Sequence, residues 1–391
     1  MKKALLILAL TLAASTVAAQ HIPLYTQPDG TAFGIELDRI WSYNLYEHSR
    51  WGAGVYYHTE PEGTIFSSTD YSAYVGYGLR DRRLKGGFSW SYMFDFDAFR
   101  MGLYSATQLD HFAVGSRQIG SASLTQPGSL AGFMSRRMDR QLRLTLGLQF
   151  PLDALDIKFE SHMFIGSHLF DGSGLLYECL GDTLFNEDGF DVTLLLQRQA
   201  VALRIQAGRS ITQGLGFAGI LVQYDSTFRF PKLYLGLFAQ CGATTLHTPF
   251  SYRFNLGGTH GAPLCFSHSL LTVEPDEYTA DAFCLASVRL GASKPLYSLW
   301  SNLLVLGSMP RPFIGLNGAW GTLWHSDGPW PDSFAAGLQL EAPERGLAEW
   351  IVGADGLVRW GMVDYGVALA GRLFPAFASR LTVLLTAELS L

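Results

Sequence analysis

The sequence predicts an all-β fold: a transmembrane antiparallel β-barrel of about sixteen strands, with fourteen to eighteen allowed. Three observations carry that prediction. Apolar and polar residues alternate with period two over stretches of ten residues or more, where strands in soluble proteins average about five or six. Charged residues make up only 16% of the 391-residue chain while aromatics reach 13%, which excludes a disordered chain. The N-terminus reads as an export signal.

The elements follow in chain order. Lys2 and Lys3 precede an apolar stretch, Ala4 to Ala14, and a small-residue site, Val17-Ala18-Ala19. Residues 1–19 are therefore expected to be a cleaved signal peptide, and 20–391 the barrel, with strands beginning by about Thr31. No later segment offers 18 consecutive apolar residues, so a membrane would have to be crossed by strands. The net charge of −6 excludes a basic nucleic-acid binder.

Alternation then recurs along the chain. Tyr71, Ala73, Val75, Tyr77 and Leu79 interleave with Ser72, Tyr74, Gly76 and Gly78. Phe88, Trp90, Tyr92, Phe94 and Phe96 interleave with Ser89, Ser91, Met93 and Asp95. Leu142 to Phe150, Leu155 to Phe159, Val201 to Ala207 and the last eleven residues repeat the pattern. One apolar and one polar or glycine-rich face is what lipid outside and water inside require. Aromatics cluster near strand ends, as interfacial girdles do. Tight connections are expected at Phe150-Pro151-Leu152-Asp153 and Phe230-Pro231-Lys232, and long ones at Gly115–Gly132, Phe170–Gly189, Gly257–Glu277 and His325–Asp332.

An exported chain meets an oxidising compartment, where Cys179, Cys241, Cys265 and Cys284 can form disulfides. Their spacing leaves all three full pairings open. No Cys/His spacing fits zinc, and no metal or cofactor is expected. There is no G-x-S-x-G, H-E-x-x-H or P-loop, so no enzyme is expected. Tyr25-Thr26-Gln27 resembles the Y-T-Q of outer-membrane phospholipase A, without that family's His and Ser contexts.

The last third carries a further resemblance. Phe254-Asn255-Leu256-Gly257-Gly258 is similar to the F-x-L-G-G stretch that opens the inward-folding loop of BamA-type assembly factors, the bacterial surface-antigen superfamily. Strands at Asp281–Leu290 and Phe313–Trp324 follow, the second ending Gly321-Thr322-Leu323-Trp324. Phe334–Leu340 resembles that family's antepenultimate strand, Trp360–Val367 its penultimate and Arg380–Leu391 its last. The order agrees over about 140 residues. The family's V-R-G-F/Y is replaced by Thr259-His260-Gly261-Ala262-Pro263, the chain has no room for POTRA modules, and it ends on Leu391 where an aromatic is usual. The resemblance implies a loop folded into the lumen, with Phe254, Gly257, Gly258, Glu274 and Glu277 as its candidates. It also implies an assembly-signal strand carrying Leu385, Leu389 and Leu391.

The candidate lumen charges are Arg289, Asp95, Asp97, Arg143 and Arg204, joined by Lys158 and Glu160 on the same parity. Arg289 shares its face with Phe283, Leu285 and Ser287. Facing lipid near mid-bilayer it would cost about 2–4 kcal/mol, so it is expected to point inward, solvated or paired with Glu274, Asp276 or Glu277. The charges together either filter solutes or fill the lumen as salt bridges.

The expected function is that of a POTRA-less barrel in a bacterial outer membrane, aiding insertion or translocation of protein or lipid through a weak seam between Thr31–Ile40 and Leu381–Leu391. A passive porin-like channel and a surface-loop interaction protein are the alternatives. Expected partners are outer-membrane lipid and the outer-membrane assembly machinery that inserts the chain, with no nucleic acid.

Overall fold

A computed structural model describes residues 21–36, 39–44, 48–61, 65–96, 99–113, 137–152, 155–171, 186–211, 214–246, 248, 254–255, 270, 272, 279–294, 299–300, 306–322, 346–360, 363–374 and 381–389. Among them there is no α-helix, and the strands fall into two compact units.

The first unit holds β1 (His21–Thr26), β2 (Ala32–Glu36), β3 (Trp41–Asn44), β4 (His48–Thr59), β5 (Phe66–Gly78), β6 (Leu84–Phe96), β7 (Phe99–Ala113), β8 (Arg137–Leu152), β9 (Leu155–Asp171), β10 (Asn186–Arg198) and β11 (Val201–Ser210). Strand β12 (Gly216–Arg229) gives its first residues to this unit and its last to the second. The second unit continues with β13 (Leu233–Thr244), β14 (Phe254–Asn255), β15 (Thr279–Ala280), β16 (Ala282–Ala292), β17 (Leu299–Trp300), β18 (Leu306–Ser308), β19 (Arg311–Thr322), β20 (Leu347–Trp360), β21 (Val363–Phe374) and β22 (Leu381–Leu389).

From β4 to β11 each strand with a described register pairs antiparallel with its chain neighbour. The second unit does the same through β13–β16–β19–β20–β21–β22. Fifteen strands run nine residues or more. Strands β2 and β3 pair successive stretches of β4 and together serve as one further strand. The resulting sixteen agree with the expected number.

The alternation read from sequence is the alternation of burial. On β5, Val75 and Tyr77 are exposed, as is Leu79 just beyond it, while Tyr74, Gly76 and Gly78 are buried. Leu144, Leu146, Phe159, Val201 and Ile205 are exposed as expected. The distribution is inverted relative to a water-soluble protein. The fully buried side chains include Lys85, Asp110, Gln240 and Glu349, and large apolar side chains cover the outside. An apolar outer face of this extent marks a surface that meets something other than water.

Several boundaries depart from the sequence reading. The first described strand is β1, ahead of Thr31, and it pairs with β2. The predicted 170–189 loop begins and ends as strand, since Phe170 and Asp171 belong to β9 and Asn186–Gly189 to β10. Trp360–Val367 is not one strand. β20 ends at Trp360, β21 begins at Val363, and the two face each other in register. The antepenultimate strand is Leu347–Trp360 rather than Phe334–Leu340, which lies outside the described residues. β20 escaped because its inner face mixes apolar Leu347 and Ile351 with Glu349. Ile351 joins Phe313, Ala368 and Ala370 in a buried cluster, while Val352 faces outward, so no clean period-two contrast remains.

The Phe230-Pro231-Lys232 turn falls where expected, whereas Phe150, Pro151 and Leu152, expected in a turn, are paired residues at the end of β8 and Asp153 lies outside the described residues. Leu152 faces Leu155 across one hairpin, and the Phe230 N–H donates to the Leu233 carbonyl in the other. In an antiparallel ladder, connections alternate between the two ends. In the first unit the connections at 97–98, 153–154 and 199–200 share one end. The long intervals at 114–136 and 172–185 share the other, together with the 79–83 turn.

Candidate functional site

Inward-facing polar side chains gather in three places. In the first unit, β4 to β7 bring Arg50, Tyr74, Lys85 and Asp110 to one face. Each sits at the polar parity of its strand, and neighbouring strands in register stack like parities together. Arg50 donates to both Asp110 oxygens, Nη1 to Oδ2 at 2.9 Å and Nη2 to Oδ1 at 2.5 Å. Tyr74 Oη donates to Asp110 Oδ2 at 2.7 Å. The Arg39 guanidinium lies over the Tyr74 ring at 4.1 Å and pairs with Glu36. A bidentate pair with a third donor is the arrangement that repays burial of two charges.

Farther along the same unit, Tyr104 donates to Glu160 at 2.5 Å, and His162 Nδ1 lies 2.9 Å from Asp191 Oδ1. Gly147 lets the Tyr104 ring lie flat on β8, because a Cβ there would stand 2.1 Å from the ring. Arg143, Lys158, Glu160 and Arg204 are half-buried on β8, β9 and β11.

In the second unit the central group is Glu349 of β20, almost wholly buried. One oxygen accepts from Asn317 Nδ2 on β19 at 2.8 Å. The other accepts both the backbone N–H and the hydroxyl of Thr272, each at 2.8 Å. Arg372 of β21 donates to the Thr272 carbonyl at 2.7 Å. Thr272 belongs to the predicted inward loop, 257–277, and both it and Leu270 are buried. A piece of that loop is thus held on the inner face of β19 to β21.

The predicted site residues are distributed as follows. Phe254 is buried on β14 with its ring 4.7 Å from that of Phe283. Gly257, Gly258, Glu274, Asp276 and Glu277 lie outside the described residues, as do Asp97, Leu391, Cys179 and Cys265. Arg289 points inward as expected, but its described partner is a wall residue: Nη2 donates to Asp355 of β20 at 2.9 Å, and the guanidinium lies 3.6 Å from the Phe313 ring centre. Asp95 joins no inner cluster. The hairpin register sets it opposite Arg100, which it binds at the exposed strand end. Leu385 and Leu389 lie opposite Val367 and Val363 on β22. Cys241 and Cys284, opposite each other on β13 and β16, form a disulfide on the outward face.

Sequence reasoning missed Arg50, Asp110, Lys85, Glu349, Thr272 and Arg372. Lys85 had a usable signal, since it shares the polar parity of Ser89 and Ser91. Thr272 had none. Among the described residues no three of His, Cys, Asp and Glu gather as a metal site requires.

No family model and no curated protein matches the chain. Among solved structures it is similar to CdiB from Escherichia coli, at 13% identity over 88% of this chain and 61% of that one, with a TM-score of 0.44. It is similar to CdiB from Acinetobacter baumannii at 9% identity over 87% and 57%, TM-score 0.44. It is also similar to BamA from Haemophilus ducreyi lacking POTRA domains 1-3, at 10% identity over 91% and 69%, TM-score 0.45. The chain spans about three fifths of the length of the two CdiB structures.

Proposed function

We propose that this chain is an exported outer-membrane β-barrel that keeps part of its 257–277 loop docked on its inner wall, and that it aids insertion or translocation of protein or lipid at that membrane without catalysing a covalent step. The membrane reading is supported by the inverted burial. Ile314, Leu316 and Trp320 alternate outward with buried Phe313 and Asn317 on β19, and long strands of this pattern need lipid on one side. The observation that carries the role is the grip of Glu349, Asn317 and Arg372 on Thr272. A carboxylate buried to this degree must be fully bonded, and here the loop supplies two of its donors. Such a wall is built around an occupant, which favours an assembly-type barrel over a standing pore.

Reconstitution of the full chain tests this. In planar bilayers the unmodified protein is expected to show no steady conductance, and in vesicles it is expected to speed the folding of an unfolded outer-membrane barrel client. A steady open pore combined with no effect on client folding would make the chain a passive channel and overturn the reading.

A further inference from the structure

The turn between β5 and β6 has no part in that role. It reads Leu79-Arg80-Asp81-Arg82-Arg83, with one acid among three arginines. The acid turns inward, away from the outer surface of the turn. Asp81 Oδ2 accepts from Lys85 Nζ at 2.6 Å, and Oδ1 accepts from the Arg83 backbone N–H at 3.4 Å. Both side chains of that ion pair are shut away from solvent, at 1% and 0% exposure. Gly78 makes the room, because a Cβ there would stand 2.1 Å from Asp81 Oδ1. With the acid turned inward, the outer surface of the turn presents Arg80, Arg82 and Arg83, all exposed.

Arg82 also has a φ of +52°, a conformation side chains rarely adopt. Glycine meets the same requirement at positions 30, 214, 346 and 356. An arginine is therefore held where glycine would fit more easily.

The surface beside the turn is apolar and amphipathic. Trp51, Val75, Tyr77, Leu79 and Leu84 are all exposed on the outward face. Trp51 lies opposite Tyr77, and Tyr77 opposite Leu84. The other end of these strands carries exposed acids instead, with Glu60, Asp70 and Asp95. The arginine turn shares its end of the unit with the long connections, the end that faces outward from the cell in outer-membrane barrels.

We propose that the Leu79–Arg83 turn binds the phosphorylated headgroup of an anionic glycolipid in the outer leaflet, with the acyl chains lying along Trp51, Tyr77 and Leu84. Guanidinium groups match phosphate oxygens as two-pronged donors, and Trp and Tyr place an apolar body in lipid with a polar tip at the headgroup level. The proposal rests on the membrane-barrel reading above.

The test uses the full chain in detergent micelles and in vesicles, probed with diphosphoryl lipid A, the same lipid A dephosphorylated, and inorganic phosphate. The unmodified protein is expected to retain diphosphoryl lipid A about tenfold more tightly than the dephosphorylated form, the loss that one or two charge-assisted bonds represent. The double variant R82Q/R83Q is expected to lose that preference while keeping its β circular dichroism and its insertion into vesicles. Inorganic phosphate is expected not to displace the lipid. Equal retention of the two lipids by unmodified protein would overturn the site even if the double variant failed to fold. An unchanged preference in a folded R82Q/R83Q variant, or displacement by inorganic phosphate, would do the same. Those failures leave the barrel reading standing, whereas failure of the unmodified chain to insert into vesicles would overturn both.

Discussion

The inner faces of the two units handle buried charge in different ways. In the first, Arg50, Asp110 and Tyr74 satisfy one another across wall strands β4, β5 and β7. In the second, Glu349 accepts from Asn317 of its own wall and from the N–H and hydroxyl of Thr272 in the 257–277 loop. In the first set the bonds to the buried carboxylate come from wall strands. A wall that uses a loop residue to finish the job ties that loop to its own stability, and loses bonds when the loop leaves.

The strongest way to break the comparison is Asp110→Ala. It takes the bidentate carboxylate away from the buried Arg50 guanidinium, at a cost of about 3–5 kcal/mol, read as a lower urea midpoint for the whole chain. Protease access to the 257–277 loop should stay unchanged. A double variant, Arg50→Met with Asp110→Leu, should recover most of the loss, because buried apolar pairs replace buried ion pairs at little net cost.

Glu349→Ala is expected to act in the opposite sense. The global loss is smaller, about 2–3 kcal/mol, and the loop is freed, so limited proteolysis should gain cuts within 257–277 and planar bilayers should gain conductance. Equal protection of the loop in this variant would erase the distinction between the two walls.

Arg289→Ala removes a partly shielded pair with Asp355 and the contact with Phe313. About 1 kcal/mol is expected, with no loop release, because Arg289 holds a wall strand. Protease sensitivity of the loop in this variant would revive the loop carboxylates as its partners. The smallest effect belongs to Arg100→Ala. Its pairing with Asp95 lies at an exposed hairpin end, where water screens it, and the urea midpoint should not move measurably.

The alternation of exposed and buried residues along β5, β8 and β11 was legible in the sequence. Arg289, Arg143, Lys158, Glu160 and Arg204 are half-buried, whereas Asp95, assigned to the same face, is exposed at a hairpin end. Period two is a local property, set by the pleat of one strand. Where an inner face mixes apolar and charged residues, as Leu347, Glu349 and Ile351 do on β20, the local signal vanishes and the strand was missed. The partners were not legible, because they depend on register between strands far apart in the chain. Arg289 reaches Asp355 across β19 rather than the nearer carboxylates in sequence, and Arg50 reaches Asp110 across two intervening strands. The Cys241–Cys284 bridge belongs to one of the three full pairings the spacing allowed, and the β13–β16 register selects it by setting the two residues face to face.

The sequence by itself determined an all-β chain with one apolar and one polar face per strand, because that information repeats every two residues and needs no distant partner. Only the tertiary structure decided which charges meet. Register and strand order convert parity into contact, and they put Glu349, Asn317 and Arg372 around a loop threonine that nothing in its own neighbourhood marked. The same principle governs the 79–83 turn. Its charges are plain in the sequence, but that Asp81 folds inward onto Lys85, leaving three arginines outside, follows from the Gly78 gap and the pairing of β5 with β6.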